Sequence, residues 1–365
     1  MTESILQFGG GKFLRAFVDL FVDEINRDGG FDHRVVVVQS SDSDRARVFN
    51  DQDGYHVLIR GLQGGQPVDS THRVRSVSRA LVAGSDWSEV LDVARSKHLH
   101  WLVSNTTEAG LTLEDSEVNL HPGSTPRSFP AKLAAVLHAR YESGGTPVQI
   151  LPCELVDRNA DRLRDLTIEQ GRLWGFSPRA LDWIRDEITW SNTLVDRIVS
   201  EAPKGHALAA EDALLCAAEP FATWAIEAGA PWPHAAIQTV ERIDAYSLRK
   251  VRILNGAHTA LVQKALGKVE TVLEVMEDPD LRSWLESLML EEIVPTVEDR
   301  VQDAEGFART ALERFANPYL HHRLADIALH QDEKIKVRLL PTYEEYIDRF
   351  GRKPPRLSEA LNTGG

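Results

Sequence analysis

Three polar residues are spaced along an otherwise apolar segment, "KVRILNGAHTALV" at residues 250–262. They are Lys250, Asn255 and His258. At about 100° of rotation per residue, an α-helix places all three within an arc of roughly 140°. Side chains on one arc of a helix can face one cavity, so the spacing predicts that these three act on one ligand.

The three residue types fit an interconversion of a carbonyl and an alcohol. Burial disfavours the charged form of a lysine and lowers its pKa, so Lys250 is expected to exchange a proton near neutral pH. The amide of Asn255 can donate to a developing alkoxide, and His258 can orient the same oxygen. These are the needs of a reaction that moves a hydride to or from a nicotinamide. The structural alternative is a partly exposed helix with an extended lysine and a hydrogen-bonded core histidine.

The stretch "FGGGKFLRAF" places glycines between a predicted strand and a predicted helix. Glycine there allows a tight turn and lets backbone amides approach a pyrophosphate, which a helix N-terminus favours. Leu14 replaces the third glycine of the usual fingerprint, so an ordinary glycine turn would give the same pattern. Because this is the first strand-to-helix junction of an alternating pattern, the sequence predicts a dinucleotide site at Phe8, Gly9, Gly10, Gly11, Lys12 and Phe13.

A second predicted strand, "RVVVV", ends at Gln39 and Ser40. An NAD-binding domain often has a carboxylate at this position, where it accepts hydrogen bonds from the ribose. Here Asp42 is displaced from it, and Arg45 and Arg47 follow. The sequence therefore predicts that Gln39 and Ser40 contact the coenzyme, and it favours NAD without excluding NADP.

Short polar side chains follow another predicted strand in "VSNTTEAGL". Ligands of open α/β sheets lie beyond the carboxyl ends of the strands, so Asn105, Thr106 and Glu108 are candidates for the same coenzyme site. A polar turn that caps the next helix is the alternative.

The elements that must position these residues divide the chain in two. Short apolar runs alternate with helical patterns in the first part, which predicts a mostly parallel sheet covered by helices. The strand candidates are "SILQF", "RVVVV", "HVLIR", "HWLVS" and "VQILP", and one helix is expected from Lys12 to Arg27. Helical periodicity dominates after Asp244. We therefore expect an α/β chain with a Rossmann-like NAD-binding domain at 1–243 and a helical substrate and catalytic domain at 244–365.

Composition excludes several classes of function. The formal charge of −14 argues against a nucleic-acid or anionic-membrane partner. The 2 cysteines, Cys153 and Cys216, offer neither a disulfide framework nor a metal-ligand cluster. No apolar run reaches the length of a membrane span, and the N-terminus lacks the pattern of a signal peptide. We therefore expect a cytoplasmic protein without a metal.

Several motifs resemble the polyol-specific long-chain dehydrogenases, the mannitol dehydrogenase family. The main ones are Lys-x4-Asn-x2-His, "GGGKFLR" near the start and "NTLVDRIVS" at residues 192–200. "SNTTEAGL", "LPCEL", "MEDP" and "KVRLLP" look like the branch of this family that acts on hexuronates. The likeness runs from about Ile5 to Arg356. The chain ends at "PPRLSEALNTGG", earlier than is usual in that branch, so either the branch is shorter here or the substrate pocket is more open.

The resemblance assigns roles to particular residues. It implies that Lys250 is the general acid and base and that Asn255 and His258 polarise the substrate oxygen. The family uses a second, upstream asparagine, and Asn159 is the substitute here because Leu155 stands at the usual position. The remaining residues are implied to contact the substrate: Asp196, Arg197, Arg314 and His321.

The implied activity is NAD(H)-dependent reduction of the keto group of a hexuronate to an aldonate, as in the conversion of tagaturonate to altronate. The alternatives are a mannitol-type polyol dehydrogenase, a fructuronate reductase and a non-catalytic NAD-binding relative. The expected partner is a small sugar acid or polyol, and the chain is expected to be a monomer or a small homo-oligomer.

Overall fold

A computed structural model of the protein describes residues 2–40, 44–106, 110–118 and 124–361. The chain forms two compact units. The first contains Met1–Ile59, Ser70–Ala218 and Ala222–Ile243, and the second contains Arg60–Asp69, Glu219–Phe221 and Asp244–Gly365. The helical second unit therefore includes two short segments from before residue 244.

Thirteen strands are described, and six of them form a parallel sheet in the first unit. The strands are β1 Thr2–Phe8, β2 His33–Gln39, β3 Tyr55–Gln63, β4 Gln66–Val74, β5 Val77–Val82, β6 Trp101–Ser104, β7 Gln149–Pro152, β8 Thr189–Trp190, β9 Thr193–Asp196, β10 Val199–Glu201, β11 Cys216–Ala218, β12 Thr223–Glu227 and β13 Ile237–Val240.

The parallel sheet has the strand order β5-β2-β1-β6-β7-β8. β2 and β5 lie on one side of β1, and the later strands β6, β7 and β8 lie on its other side. This change of side defines the switch point where α/β sheets bind ligands. Residues 35–38 are four consecutive valines that are 0% exposed, as expected for a strand covered on both faces. The predicted parallel sheet is thus confirmed.

The predicted strand "HVLIR" is also formed, but within β3 of a second sheet with the order β10-β11-β3-β4. A third sheet has the order β13-β12-β9. Seven α-helices of the first unit are described, at Lys12–Arg15, Val18–Arg27, Arg45–Asp51, Trp87–Arg95, Phe129–Glu142, Asn159–Leu173 and Pro178–Asp186.

The single helix expected from Lys12 to Arg27 is interrupted. It ends at Arg15, and a second helix begins at Val18, because Phe17 leaves the helical conformation with φ −131° and ψ −91°. The Phe17 ring is fully buried, 4.7 Å from Phe21 and 5.7 Å from Trp224 between ring centroids. The break lets the chain turn sharply after the glycines while its apolar residues stay in the core.

The second unit is mainly helical. Its described helices are Asp244–Arg249, Lys250–Asn255, Gly256–Ala265, Val272–Glu277, Pro279–Ser287, Leu288–Ile293, Val294–Val297, Ala304–Phe315, Leu324–Ile327, Gln331–Arg338, Leu340–Phe350 and Pro355–Ala360. Lys250–Asn255 and Leu288–Ile293 are π-helical. Ile253 of the first π-helical segment and Ala257 and Leu261 of the helix that continues it are 0% exposed and lie in the core of this unit. Among the described helices, none is long and apolar enough to cross a membrane.

Candidate active site

The glycine turn leaves β1 at the switch point of the parallel sheet. The amide of Gly9 donates to the carbonyl of Val38 at 3.0 Å, and the amide of Asn105 donates to the carbonyl of Phe8 at 3.2 Å. Backbone hydrogen bonds from both neighbouring strand ends therefore hold the turn. It occupies the position that the sequence predicted for a dinucleotide.

The three glycines have different surroundings. Gly9 has φ +119°, a conformation that side chains rarely adopt. A Cβ on Gly10 would lie 3.0 Å from the ring of Phe49, so this position is closely packed. Gly11 is exposed, and a Cβ there would meet nothing within 4 Å. The backbone at Gly11 thus borders open space in which a pyrophosphate can approach it.

Hydrogen bonds between buried polar groups stabilise the glycine turn. Arg15 donates from Nη1 to the carbonyl of Gly10 at 2.8 Å. The hydroxyl of Tyr55 lies 3.0 Å from the Arg15 carbonyl and 3.0 Å from Oδ2 of Asp19. Asp19 is 0% exposed, and this burial raises the pKa of its carboxyl to about 7.

The predicted coenzyme residues beside the glycines are not equivalent. The side chain of Phe8 is 4% exposed and packs on Phe129, with ring centroids 5.2 Å apart, so only its backbone borders the turn. Phe13 is half-buried and stacks on Phe17 at 4.8 Å. Lys12 forms an exposed ion pair of 2.7 Å with Glu201.

At the end of β2, Gln39 is 3% exposed and its carbonyl accepts from the amide of Ala83 at 2.8 Å. Ser40 is exposed. Of these two residues, only Ser40 offers an exposed side chain to a ribose. Asp42 lies outside the described residues.

At the ends of β6 and β7, polar contacts hold the segment that contains Asn105 and Thr106. Asn105 donates from Nδ2 to the carbonyl of Cys153 at 2.8 Å. Glu154 accepts from the amide of Thr106 at 2.8 Å and from the hydroxyl of Ser104 at 3.1 Å. Burial raises the pKa of the Glu154 carboxyl. Glu154 was not among the residues predicted from the sequence, and Glu108 lies outside the described residues.

Asn159 is 1% exposed, and its side chain already has a full set of hydrogen bonds. Its Nδ2 lies within 3.1 Å of the carbonyls of Pro152, Glu154 and Thr193. Its Oδ1 accepts from the amides of Ala160 and Thr193 at 3.0 Å. These bonds join the ends of β7 and β9, and they leave no amide proton for a substrate oxygen. The structure thus gives Asn159 a structural role instead of the catalytic one that the resemblance implied.

Asp196 and Arg197 follow each other at the end of β9. Asp196 is 6% exposed. Arg197 donates from Nη1 to the carbonyl of Ala16 at 2.8 Å, and its guanidinium lies 5.9 Å from the centroid of the Phe21 ring. Arg197 therefore contacts the interrupted helix that follows the glycine turn.

In the second unit, Lys250 and Asn255 are the first and last residues of a π-helical segment, and both are half-buried. This segment was predicted to be α-helical. In a π-turn the hydrogen bonds run from i to i+5, so a residue lies close to the one five positions along. Lys250 and Asn255 are five residues apart, which is the hydrogen-bond spacing of a π-turn. The angle between their side chains around the helix axis is therefore smaller than it would be on an α-helix. π-turns are frequent at functional sites.

The α-helix Gly256–Ala265 continues from the π-helical segment and carries His258, three residues after Asn255 and so on the same face. His258 is 8% exposed and lies against the rings of Phe315 and His322, at centroid distances of 4.4 Å and 4.8 Å. Burial, followed by the charges of His322, Arg314 and Arg338, holds the pKa of His258 well below its usual range. The imidazole is therefore neutral near pH 7.

The tautomer of His258 follows from its hydrogen bonds. The ring makes a backbone hydrogen bond with Leu254, whereas its buried Nε2 has no partner among the described residues. The bond to Leu254 must therefore involve Nδ1, which donates to the carbonyl. Nε2 of the neutral ring is then an acceptor without a partner.

Arg314 and His321, which the resemblance assigned to substrate, lie in different environments. Arg314 is 5% exposed and forms a bidentate ion pair with Glu219, in which Nη2 donates to Oε1 at 2.8 Å and Nε donates to Oε2 at 2.9 Å. Its guanidinium also lies 4.2 Å from the centroid of the Phe221 ring. The charge of Arg314 is thus already paired inside this unit. His321 is exposed.

Two residues that the sequence analysis missed lie beside His258. One is His322, whose ring contacts that of His258. The other is Arg338, whose Nη1 lies 3.4 Å from the hydroxyl of Thr259. Arg338 lies in the motif "KVRLLP", which indicated the family but gave no role to this arginine, and no motif distinguishes His322 from other histidines.

Each unit thus collects one set of predicted residues. The first unit brings the glycine turn, Ser40, Asn105 and Thr106 to the carboxyl edge of the parallel sheet. The second unit brings Lys250, Asn255 and His258 to one face of a continuous helix. A Rossmann-type sheet with a glycine turn at its switch point, together with such a helical unit, defines a dehydrogenase.

The comparison with protein families agrees with this class. Residues 3–237 match the mannitol dehydrogenase Rossmann domain, and residues 242–362 match the mannitol dehydrogenase C-terminal domain. The chain belongs to the mannitol dehydrogenase family.

Similar proteins include altronate oxidoreductases from three bacteria. The one from Halalkalibacterium halodurans is 37% identical, over 99% of this chain and 74% of the relative. The one from Bacillus subtilis is 35% identical over 97% of this chain and 77% of the relative, and the one from Yersinia enterocolitica is 37% identical over 98% and 78%.

Two solved structures have the same fold. A substrate-free D-sorbitol dehydrogenase superposes with a TM-score of 0.89 at 23% identity, covering 99% of this chain and 79% of the other. The mannitol 2-dehydrogenase of Pseudomonas fluorescens, in a ternary complex with NAD and D-mannitol, superposes with a TM-score of 0.78 at 22% identity, covering 98% and 77%.

Proposed function

We propose that this chain is an NAD(H)-dependent oxidoreductase that interconverts tagaturonate and altronate, with Lys250 as its acid and base. The observation that carries the proposal is the helix that presents Lys250, Asn255 and His258 on one face, with a π-turn between the first two. The altronate oxidoreductases at 35–37% identity support the substrate class.

The first unit fits a dinucleotide. Gly11 leaves open space where a side chain would stand, at the switch point of the sheet. Ser40, Asn105 and Thr106 lie at the ends of the neighbouring strands and are proposed to contact the coenzyme, as are the backbone of the glycine turn and Lys12. NAD(H) supplies or accepts the hydride.

Lys250 is proposed to hold and move the proton. Hydride delivery to a ketone creates an alkoxide, and a cationic amine beside that oxygen both stabilises the charge and supplies the proton. In the direction of oxidation the neutral amine takes the proton from the hydroxyl. Lys250 is half-buried in a segment of mainly apolar residues, and its amine is proposed to extend from there to the ligand.

Asn255 and His258 have complementary roles. The amide of Asn255 is proposed to donate to the reacting oxygen, because an amide is a donor that does not give up its proton. Neutral His258, with Nε2 as an acceptor, is proposed to receive a hydrogen bond from a substrate hydroxyl. This division orients a polyhydroxylated substrate more strictly than three donors would.

The other residues implied by the resemblance take supporting places. Asn159 and Arg314 hold the chain through internal bonds, so the proposal leaves both out of proton transfer. Asp196, Arg197 and His321 are proposed to position the substrate or the segments around it.

The experiment is a panel followed by nicotinamide absorbance. The purified chain is given NADH with tagaturonate, fructuronate, fructose or no substrate, and NAD with altronate. We expect turnover with tagaturonate and altronate above all. Turnover with fructose alone would indicate a neutral polyol dehydrogenase, and NADH binding without any turnover would indicate a non-catalytic relative.

A further inference from the structure

Arg338 is a half-buried arginine that has no carboxylate partner among the residues that the structure describes. It is the last residue of the helix Gln331–Arg338. Its described contact is the hydroxyl of Thr259 at 3.4 Å, which is a neutral group. No Asp or Glu oxygen of the described residues forms an ion pair with it. Burial lowers the pKa of this guanidinium.

Several other arginines of the second unit do have such partners. The ion pairs are Arg252 with Glu345, Arg282 with Glu286, Arg309 with Glu305, Arg314 with Glu219, Arg349 with Asp299 and Arg356 with Glu292. A charge that is partly removed from water without a counter-ion is unfavourable. In a chain with 14 more acidic than basic residues, a missing partner for Arg338 is unexpected.

The position of Arg338 connects it to the candidate site. Thr259 lies four residues after Asn255, so its hydroxyl is on the face that carries Asn255, and the charge of Arg338 also acts on His258. Arg338 therefore reaches that face from a second helix. His322 reaches it from the segment before Leu324–Ile327, with its ring 4.8 Å from that of His258.

The groups around His258 are mainly donors or cations. Arg314 is balanced by Glu219, and the carboxylate of Asp326 acts on His322 from an exposed position. Among the described residues, the buried Nε2 of His258 has no hydrogen-bond partner and the Arg338 guanidinium has no counter-ion. Both observations indicate that a polar ligand binds here.

We propose that Arg338 and His322 form an anion-binding subsite beside His258 that takes the carboxylate of a sugar-acid substrate. This inference rests on the proposed function and names the chemistry that would select a hexuronate or aldonate over a neutral polyol. A carboxylate is ionised at neutral pH, and a guanidinium can bind both of its oxygens at once. A primary hydroxyl in the same place offers no charge, so it leaves Arg338 unpaired. The subsite therefore discriminates by electrostatics instead of by size.

The first test measures binding through thermal stability. Wild-type protein, Arg338→Met and Arg338→Lys are heated alone, with D-altronate and with D-mannitol, at matched ionic strength. A ligand that binds only the folded state raises the midpoint temperature of unfolding. We expect altronate to raise this temperature in wild type, to raise it weakly in Arg338→Lys and to leave it unchanged in Arg338→Met. Without ligand, Arg338→Met is expected to unfold at an equal or higher temperature, because it loses an unpaired, half-buried charge. A lower midpoint would show that Arg338 already has a stabilising partner, and would overturn the proposal.

The second test is kinetic. Arg338→Met is expected to lower kcat/KM for altronate at least about thirtyfold, equivalent to about 2 kcal/mol, chiefly through KM, with NADH affinity unchanged. Arg352→Met is the matched control, because it removes the same charge from an exposed position in the same unit. It should leave both values as in wild type.

The outcomes separate the two proposals. If wild type oxidises altronate and Arg338→Met does so equally well, the subsite is wrong and the proposed function stands. If wild type neither binds nor oxidises altronate, the proposed function fails, and the subsite fails with it.

Discussion

Substitution of Asp19 by asparagine should change how the stability of the first unit depends on pH. The carboxyl of Asp19 is fully buried, and burial raises its pKa from 3.8 to about 7, against the opposing effects of Tyr55 and Arg15. Because the folded-state value is the higher one, the folded protein binds this proton more tightly than the unfolded chain. The resulting stability is fully present below about pH 4 and is lost as the pH rises through about 7.

The size of the effect follows from the two pKa values. A difference of about 3 units, at about 1.4 kcal/mol each, gives about 4 kcal/mol. Asparagine has nearly the same shape, can still accept from the Tyr55 hydroxyl, and does not ionise. The free energy of unfolding of Asp19→Asn, relative to wild type, should therefore rise by about 4 kcal/mol between pH 4 and pH 8.

Denaturant unfolding followed by tryptophan fluorescence is a suitable assay. Of the 8 tryptophans only Trp284 lies in the second unit, so the signal reports mainly on the first. Asp28→Asn, at an exposed position at the end of the same helix, is the control and should follow the wild-type curve. A difference between Asp19→Asn and wild type that stays constant within about 1 kcal/mol across this range would refute the reasoning.

Three further predictions concern the reaction. Gly11→Val should fold normally, since a Cβ at this position would meet nothing within 4 Å, yet bind NADH at least about a hundredfold more weakly by calorimetry; unchanged affinity would place the coenzyme elsewhere. Lys250→Ala should lower kcat at least about a hundredfold with NADH affinity unaltered. The control Lys264→Ala removes an ion pair with Glu359 and should leave kcat unchanged. If Lys250→Ala kept more than about a tenth of wild-type turnover with the same pH profile, Lys250 would be excluded as the acid. NAD(H) should be preferred only modestly over NADP(H), because Gln39 and Ser40 place no carboxylate at the end of β2, and a measured preference above about a thousandfold, or about 4 kcal/mol, would contradict this.

The first unit was largely predictable because its signals are local. Runs such as "RVVVV" alternate with helical patterns, and a glycine turn at the first junction marks the coenzyme edge of a parallel sheet. The break at Phe17 was not predictable, because Phe17 and Phe21 keep helical spacing while the backbone between Arg15 and Val18 departs from it. Hydrophobic periodicity reports which face is buried and does not report whether each turn is intact.

The site of the second unit was predictable only in its central motif. Lys250, Asn255 and His258 lie in one segment, but Arg338 and His322 come from other elements, and their nearness to His258 depends on tertiary packing. Asn159 shows the opposite case: its amide suits catalysis chemically, yet backbone carbonyls from β7 and β9 already occupy it. Residue type indicates what a side chain can do, and only its neighbours decide whether it is available.

The π-turn at Lys250–Asn255 also has a consequence for insertions and deletions. A helix with such a turn contains one residue more than an α-helix with the same end points, so the segment can lose one residue without shortening the helix. Such a deletion would give the backbone more regular hydrogen bonding. It would also shorten the spacing to Lys-x3-Asn, and residues four apart lie on one face of an α-helix, so Lys250 would still share a face with Asn255. The segment is therefore expected to tolerate the loss of one residue between Lys250 and Asn255 while the proposed proton-transfer group stays together.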